Sequence, residues 1–210
     1  LYCGDVRAIV FAGGSAFVRT SDYAMSLVPL FILMGAFVEQ AGLGRDAYDA
    51  CMKWFSRLKG SLAIVSILAN AIFGAVTGSA IAALVTIGNI ALPEMRRYGY
   101  SAALRTGSIA SGSMLSNLIP PSTMAIFYAL LTDESIGKLF IAGIIPGVIL
   151  CVLFAITIYV WVTLRPNDAP TLPTGVRFTW SERVRSIVLL IPIVVVFLVI
   201  IGGIYFGWFS

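Results

Sequence analysis

The sequence predicts an all-α membrane protein whose helices include a re-entrant hairpin and a discontinuous helix. Three observations predict it. The 210 residues are 59% hydrophobic and only 11% charged, where a soluble domain carries about 25% charged residues. The apolar stretches are long and continuous, without the alternation of an outer-membrane barrel, so the spans are helical. Two of those stretches are broken near their middle by small and polar residues, at 74–79 and at 116–123.

Residues 1–23 hold one apolar run, 6–18, too short to span comfortably; it reads as the tail of an interrupted helix or as a surface loop. Residues 23–41 make a span, with Pro29 in its first half and Glu39 near its end. Residues 42–59 are amphipathic, with Ala47, Cys51, Trp54, Phe55 and Leu58 on one face. That pattern fits a helix lying along the headgroups, or a connecting helix packed on protein.

Residues 61–94 follow. The break at 74–79 divides them into two arms of about 14 residues, each reaching roughly 21 Å as helix. Neither arm crosses a hydrocarbon core about 30 Å thick, so the stretch is expected to dip in, turn and return to its own side. Gly74-x-x-x-Gly78 also fits a plain helix-packing motif, and Pro120-Pro121 a plain kink. A basic aromatic loop at 93–100 leads to the second broken segment, 104–131. There the two prolines lack donors and free the carbonyls before them. An acidic loop at 132–138, a span at 139–162, a polar loop at 163–185 and a span at 187–209 complete the chain. Its ends lie beside apolar sequence, so it reads as a piece of a longer protein.

The charges test this layout. If the hairpin returns to its own side, the loops 42–59, 93–105 and 163–185 share a face and hold eleven of the 14 Lys and Arg. By the positive-inside rule that face is cytoplasmic. The net charge of +4 is therefore a matter of topology rather than a nucleic-acid footprint. Histidine is absent and Cys3, Cys51 and Cys151 are scattered, which argues against transition-metal handling and against an enzyme.

Unwound backbone at membrane depth survives only in protein or around a polar cavity. Two such breaks, flanked by Ser, Thr and Asn oxygens, offer ligands to a hard cation and aim helix N-termini at an anion. This is the chemistry of a secondary transporter. No carboxylate lies inside either broken segment, so sodium is expected to be the coupling ion rather than a proton. A channel is the weaker reading, because one asymmetric chain gives no ring or continuous polar lining.

The run from 73 to 147, with Pro93-Glu94-Met95-Arg96-Arg97-Tyr98-Gly99-Tyr100 and Ile119-Pro120-Pro121-Ser122, resembles the large membrane subunit (M, DctM-like) of tripartite ATP-independent periplasmic (TRAP) transporters. Pro29-Leu30-Phe31-Ile32-Leu33-Met34-Gly35 matches an earlier family stretch.

The resemblance implies an elevator built from two inverted repeats, of which this chain holds the first and the start of the second. Residues 1–59 would give a scaffold helix and an arm. Residues 60–136 would give transport-domain elements, namely the hairpin 60–94 and the broken helix 104–131, and 137–210 scaffold helices with a cytoplasmic loop. It implies a Na⁺ and adjacent substrate site at Thr77, Gly78, Ser79, Asn117, Pro120, Pro121, Ser122 and Thr123. It further implies sodium-driven import of organic acids, such as C4-dicarboxylates or sialic acid. The partners would be a periplasmic substrate-binding protein and a small membrane subunit, in a bacterial or archaeal inner membrane. A stand-alone sodium-coupled anion carrier of the same inverted-repeat class is the alternative. Ser116-Asn117 departs from the small residues many relatives carry there.

Overall fold

The computed structural model describes residues 23–170 and 178–206, so the readings for 1–22, for the middle of the 163–185 loop and for 207–209 lie outside the described residues. Among the described residues the fold is all helical, without strands. The helices are α1 (Tyr23–Gln40), α2 (Leu43–Phe55), α3 (Ser61–Thr77), α4 (Ala80–Arg97), α5 (Ala102–Met114), α6 (Thr123–Thr132), α7 (Ile136–Leu164) and α8 (Trp180–Tyr205). Short 3-10 turns follow α5 at Leu115–Asn117 and α7 at Pro166–Asp168.

A helix apolar all round must be surrounded by protein or lipid, and α3 takes the first course. Fourteen of its 17 residues are buried, packed by α2, α4, α5 and α7. The chain then reverses at Gly78-Ser79, and α4 runs back along α3. Tyr100, just past the end of α4, lies against Ser61 and the Leu62 backbone at the start of α3. The two helices are thus a hairpin with a closed tip and a shared base.

That base gathers the three basic loops. A Cβ added at Gly60 would lie 2.8 Å from Val162 near the end of α7. The Ser101 amide donates to the Asp168 carbonyl at 2.8 Å, and the Trp54 and Trp180 rings meet edge to face with centroids 5.9 Å apart. The segment after α5 sits part-way along α7: added Cβ atoms at Gly143 and Gly147 would lie 2.6 Å from Leu118 O and Ile119 Cγ1. These glycines stand roughly 10–16 Å in from the start of α7.

α7 and α8 are the two described helices long and apolar enough to cross a membrane, and only 17% and 11% of their apolar windows are buried. Side chains such as Ile145, Val148, Val152, Leu198 and Val199 are more than half exposed. Apolar surface on that scale requires lipid or a protein partner, and with the length of these helices it fits a membrane location.

Two expectations are corrected. The first break is narrower than 74–79: helix α3 continues to Thr77 and only Gly78 and Ser79 leave it. The last span begins at Trp180 rather than 187, because Thr179 and Glu182 cap it reciprocally. The Glu182 carboxylate accepts from the Thr179 amide at 2.7 Å, and the Thr179 hydroxyl accepts from the Glu182 amide at 3.4 Å. Of the two readings of 42–59, the packing of α2 on α3 and α8 suits a connecting helix on protein: Ala47 and Cys51 are buried, while Trp54, Phe55 and Leu58, at and just past its end, are left partly exposed.

Candidate functional site

Each break is made by a glycine or prolines and closed by a serine. At the first, Gly78 takes a left-handed conformation (φ 61°) that an L side chain rarely adopts, and its amide donates to the Gly74 carbonyl at 2.8 Å to end α3. Ser79 is extended, and its hydroxyl accepts from the Ala82 amide at 3.3 Å to start α4. At the second, α5 tightens into the 3-10 turn and residues 118–122 leave the helix, with a cis peptide between Pro120 and Pro121. Ser122 starts α6 by accepting from the Ala125 amide at 3.3 Å, while its hydroxyl donates back to the Asn117 carbonyl at 2.7 Å.

The breaks meet. The Gly78 carbonyl accepts two hydrogen bonds from Thr123, one from its amide at 3.2 Å and one from its hydroxyl at 2.9 Å. A Cβ on Gly78 would lie 2.6 Å from the Pro121 carbonyl oxygen, so only glycine lets the two backbones approach this closely. The contact joins residues 45 apart in sequence. It brings the N-termini of α4 and α6, which favour anions, beside the C-terminus of α3, whose carbonyls favour cations.

Of the eight residues expected at the site, Thr77, Gly78, Pro120, Pro121 and Ser122 are buried, and Ser79, Asn117 and Thr123 are half-buried. Five of them touch one another directly, and Thr77 is the neighbour of one of these. Gly78 touches Thr123 and Pro121, Ser122 touches Asn117, and Thr77 adjoins Gly78 with its hydroxyl donating to the Phe73 carbonyl at 3.2 Å. Pro120 faces α7, where an added Cβ on Gly143 would lie 3.8 Å from its Cδ. Ser79 belongs through its place next to Gly78.

Three residues outside the expected set also build the junction. Gly35 of α1 brings its backbone against the tip, where an added Cβ would lie 3.1 Å from the Thr77 carbonyl oxygen. Gly143 and Gly147 let α7 lie against Leu118 and Ile119. The Gly-x-x-x-Gly spacing of the α7 pair was a visible packing signal, whereas Gly35 carried none.

Ser-x-x-Lys, a spacing found in some serine enzymes, occurs twice, at Ser56–Lys59 and Ser135–Lys138. Both stand at helix ends, the C-cap of α2 and the N-cap of α7, and neither serine is among the residues that form the junction.

Residues 6–210 match the family described as tripartite ATP-independent periplasmic transporter, DctM component. The chain belongs to this family. It is 34% identical over 92% of its length to the C4-dicarboxylate TRAP transporter large permease protein DctM of Pseudomonas aeruginosa, covering 44% of that protein. It is 35% identical over 87% of its length to the ectoine TRAP transporter large permease protein TeaC of Halomonas elongata, covering 42% of it. To the sialic acid TRAP transporter large permease protein SiaM of Vibrio cholerae it is 28% identical over 96% of its length, covering 46%. This DctM-family chain thus spans less than half the length of these curated relatives, which are permeases rather than enzymes by name.

Proposed function

We propose that the chain is the N-terminal part of the large permease of a sodium-driven TRAP transporter that imports an organic acid. A periplasmic binding protein delivers the acid, and a small membrane subunit braces the permease in the bacterial inner membrane. The observation that carries this reading is the junction of Gly78 with Thr123, two helix breaks joined beside the first half of the apolar helix α7. The hairpin that ends there starts and finishes at the base where the basic loops gather, which suits a re-entrant element entered from the cytoplasmic side.

Na⁺ prefers oxygen ligands, and carbonyls of the breaks with the Ser79, Asn117, Ser122 and Thr123 side chains are the candidates. Gly78 O is already engaged by Thr123, so we assign it to holding the junction together, with neighbouring oxygens binding the ion. The amide-lined starts of α4 and α6 suit the carboxylate of the substrate. The named relatives take dicarboxylate, ectoine or sialic acid, so the family alone does not fix the substrate.

The test is uptake in proteoliposomes, with the permease expressed from its complete reading frame together with its binding protein and small subunit. Ser79→Ala and Ser122→Ala each should raise the sodium concentration needed for half-maximal uptake. Uptake by both variants with the sodium dependence of the wild type removes the proposed site.

A further inference from the structure

One to two turns back from the tip, α3 and α5 fit together reciprocally. Asn70 and Gly74 stand one turn apart on α3, and Gly112 on α5 stands four residues before Ser116 in the 3-10 turn that continues it. A Cβ on Gly112 would lie 3.0 Å from Asn70 Nδ2, and a Cβ on Gly74 would run into the Ser116 hydroxyl, with the Ser116 Cβ 2.6 Å away. Each helix therefore presents one polar knob and one glycine hole.

Both knobs are fully buried, at 0% exposure. The Asn70 amide nitrogen donates to the Ser66 carbonyl at 2.8 Å. Asn70 Oδ1 and Ser116 Oγ have no hydrogen-bond partner. Alanine at 116 would pack the Gly74 hole without burying an unpaired hydroxyl, so packing alone does not account for serine. The two orphans are complementary, since a hydroxyl can donate and an amide oxygen can only accept. Ser116 also belongs to the 3-10 turn where the second break begins, whereas Asn70 lies within the regular helix α3. A rearrangement of the break moves one partner past the other.

We propose that Asn70 and Ser116 are positioning residues for the junction, and that the Ser116 hydroxyl closes onto Asn70 Oδ1 when the coupling cation occupies the breaks. The inference rests on the sodium reading above. Its signature is a pair of opposite effects. Ser116→Ala removes a buried orphan from the sodium-free protein and so stabilises it. The same change deletes a bond formed only with sodium and so weakens sodium binding. A side chain that merely packs does not produce both.

The experiment is thermal unfolding of the purified full-length permease across a sodium titration, with potassium holding ionic strength constant. Ser116→Ala should raise the sodium-free midpoint by about 1–3 °C and raise the half-saturating sodium concentration about fivefold or more. Asn70→Leu should also raise the half-saturating sodium concentration, and Asn70→Leu/Ser116→Ala should add little to the sodium shift of either single change. A sodium-free midpoint that falls in Ser116→Ala, including outright misfolding, overturns the proposal, as does an unchanged sodium titration. A wild-type midpoint insensitive to sodium overturns the sodium reading and this inference with it. A wild type that responds alongside an identical Ser116→Ala sinks the inference alone.

Discussion

Replacing Gly78 by alanine tests the junction most directly, because a matched control exists in the same chain. Gly78 and Gly42 both hold left-handed backbone, with φ of 61° and 78°. Alanine costs roughly 1–2 kcal/mol in that conformation, and at Gly42 the cost stops there, since nothing lies within 4 Å of the added Cβ. At Gly78 the methyl group would lie 2.6 Å from the Pro121 carbonyl oxygen, a distance at which backbone must move. Overpacking of this kind costs ~1–3 kcal/mol. The movement also strains the two hydrogen bonds from Thr123 to Gly78 O, each with a net value of about 1 kcal/mol. Gly78→Ala should therefore be about 2–4 kcal/mol more destabilising than Gly42→Ala, with a correspondingly lower midpoint of the full-length permease. Thermal unfolding in detergent reads the difference, and uptake should fall in Gly78→Ala and persist in Gly42→Ala. Equal midpoints and equal uptake for the two variants would refute the close approach of the breaks.

Other outcomes follow from single contacts. Thr123→Val keeps the shape and the amide bond but loses the 2.9 Å bond from the hydroxyl to Gly78 O; it should cost about 1 kcal/mol in chemical or thermal unfolding, and Thr123→Ser should restore it. Burial, with a lesser contribution from Cys151, pushes the Cys51 thiol up to about 12. Thiolate is scarce at neutral pH, so in a Cys3→Ser background maleimide should modify Cys51 far more slowly than an exposed thiol, which mass spectrometry can follow. The Thr179 amide and hydroxyl donate to the Glu182 carboxylate at 2.7 and 2.8 Å, closing the first turn of α8. Glu182→Ala should therefore accelerate hydrogen exchange at that turn, after correction for intrinsic rates.

The membrane character, the helical class and both breaks were legible because each depends on local composition: long apolar runs, a Gly-Ser reversal, a Pro-Pro interruption. Ser79 and Ser122 are legible as caps for the same reason, since each precedes an apolar helix. Gly74 was misjudged because a glycine inside a helix costs only about 1 kcal/mol, and here the close fit of Ser116 gives that glycine a packing reason to be there. The start of α8 was placed too late although Thr179-Trp180-Ser181-Glu182 carries a capping-box signature; the polar residues before the apolar run hid it. The pairing of Thr123 with Gly78, the seat of Gly35 on Thr77 and the opposed knobs of Asn70 and Ser116 had no local signal. They exist only once distant segments are folded together.

The two glycines of α7 have a mechanical consequence. Ile119 rests against Gly147 and the Leu118 carbonyl against Gly143, so along this line α7 is a rail with two smooth notches about 6 Å apart. A shift of one turn toward the start of α7 would carry the Leu118 backbone from Gly143 onto Leu139, and one turn the other way would carry Ile119 from Gly147 onto Cys151. Either step meets a side chain, so the two notches fix the register of the second break on α7.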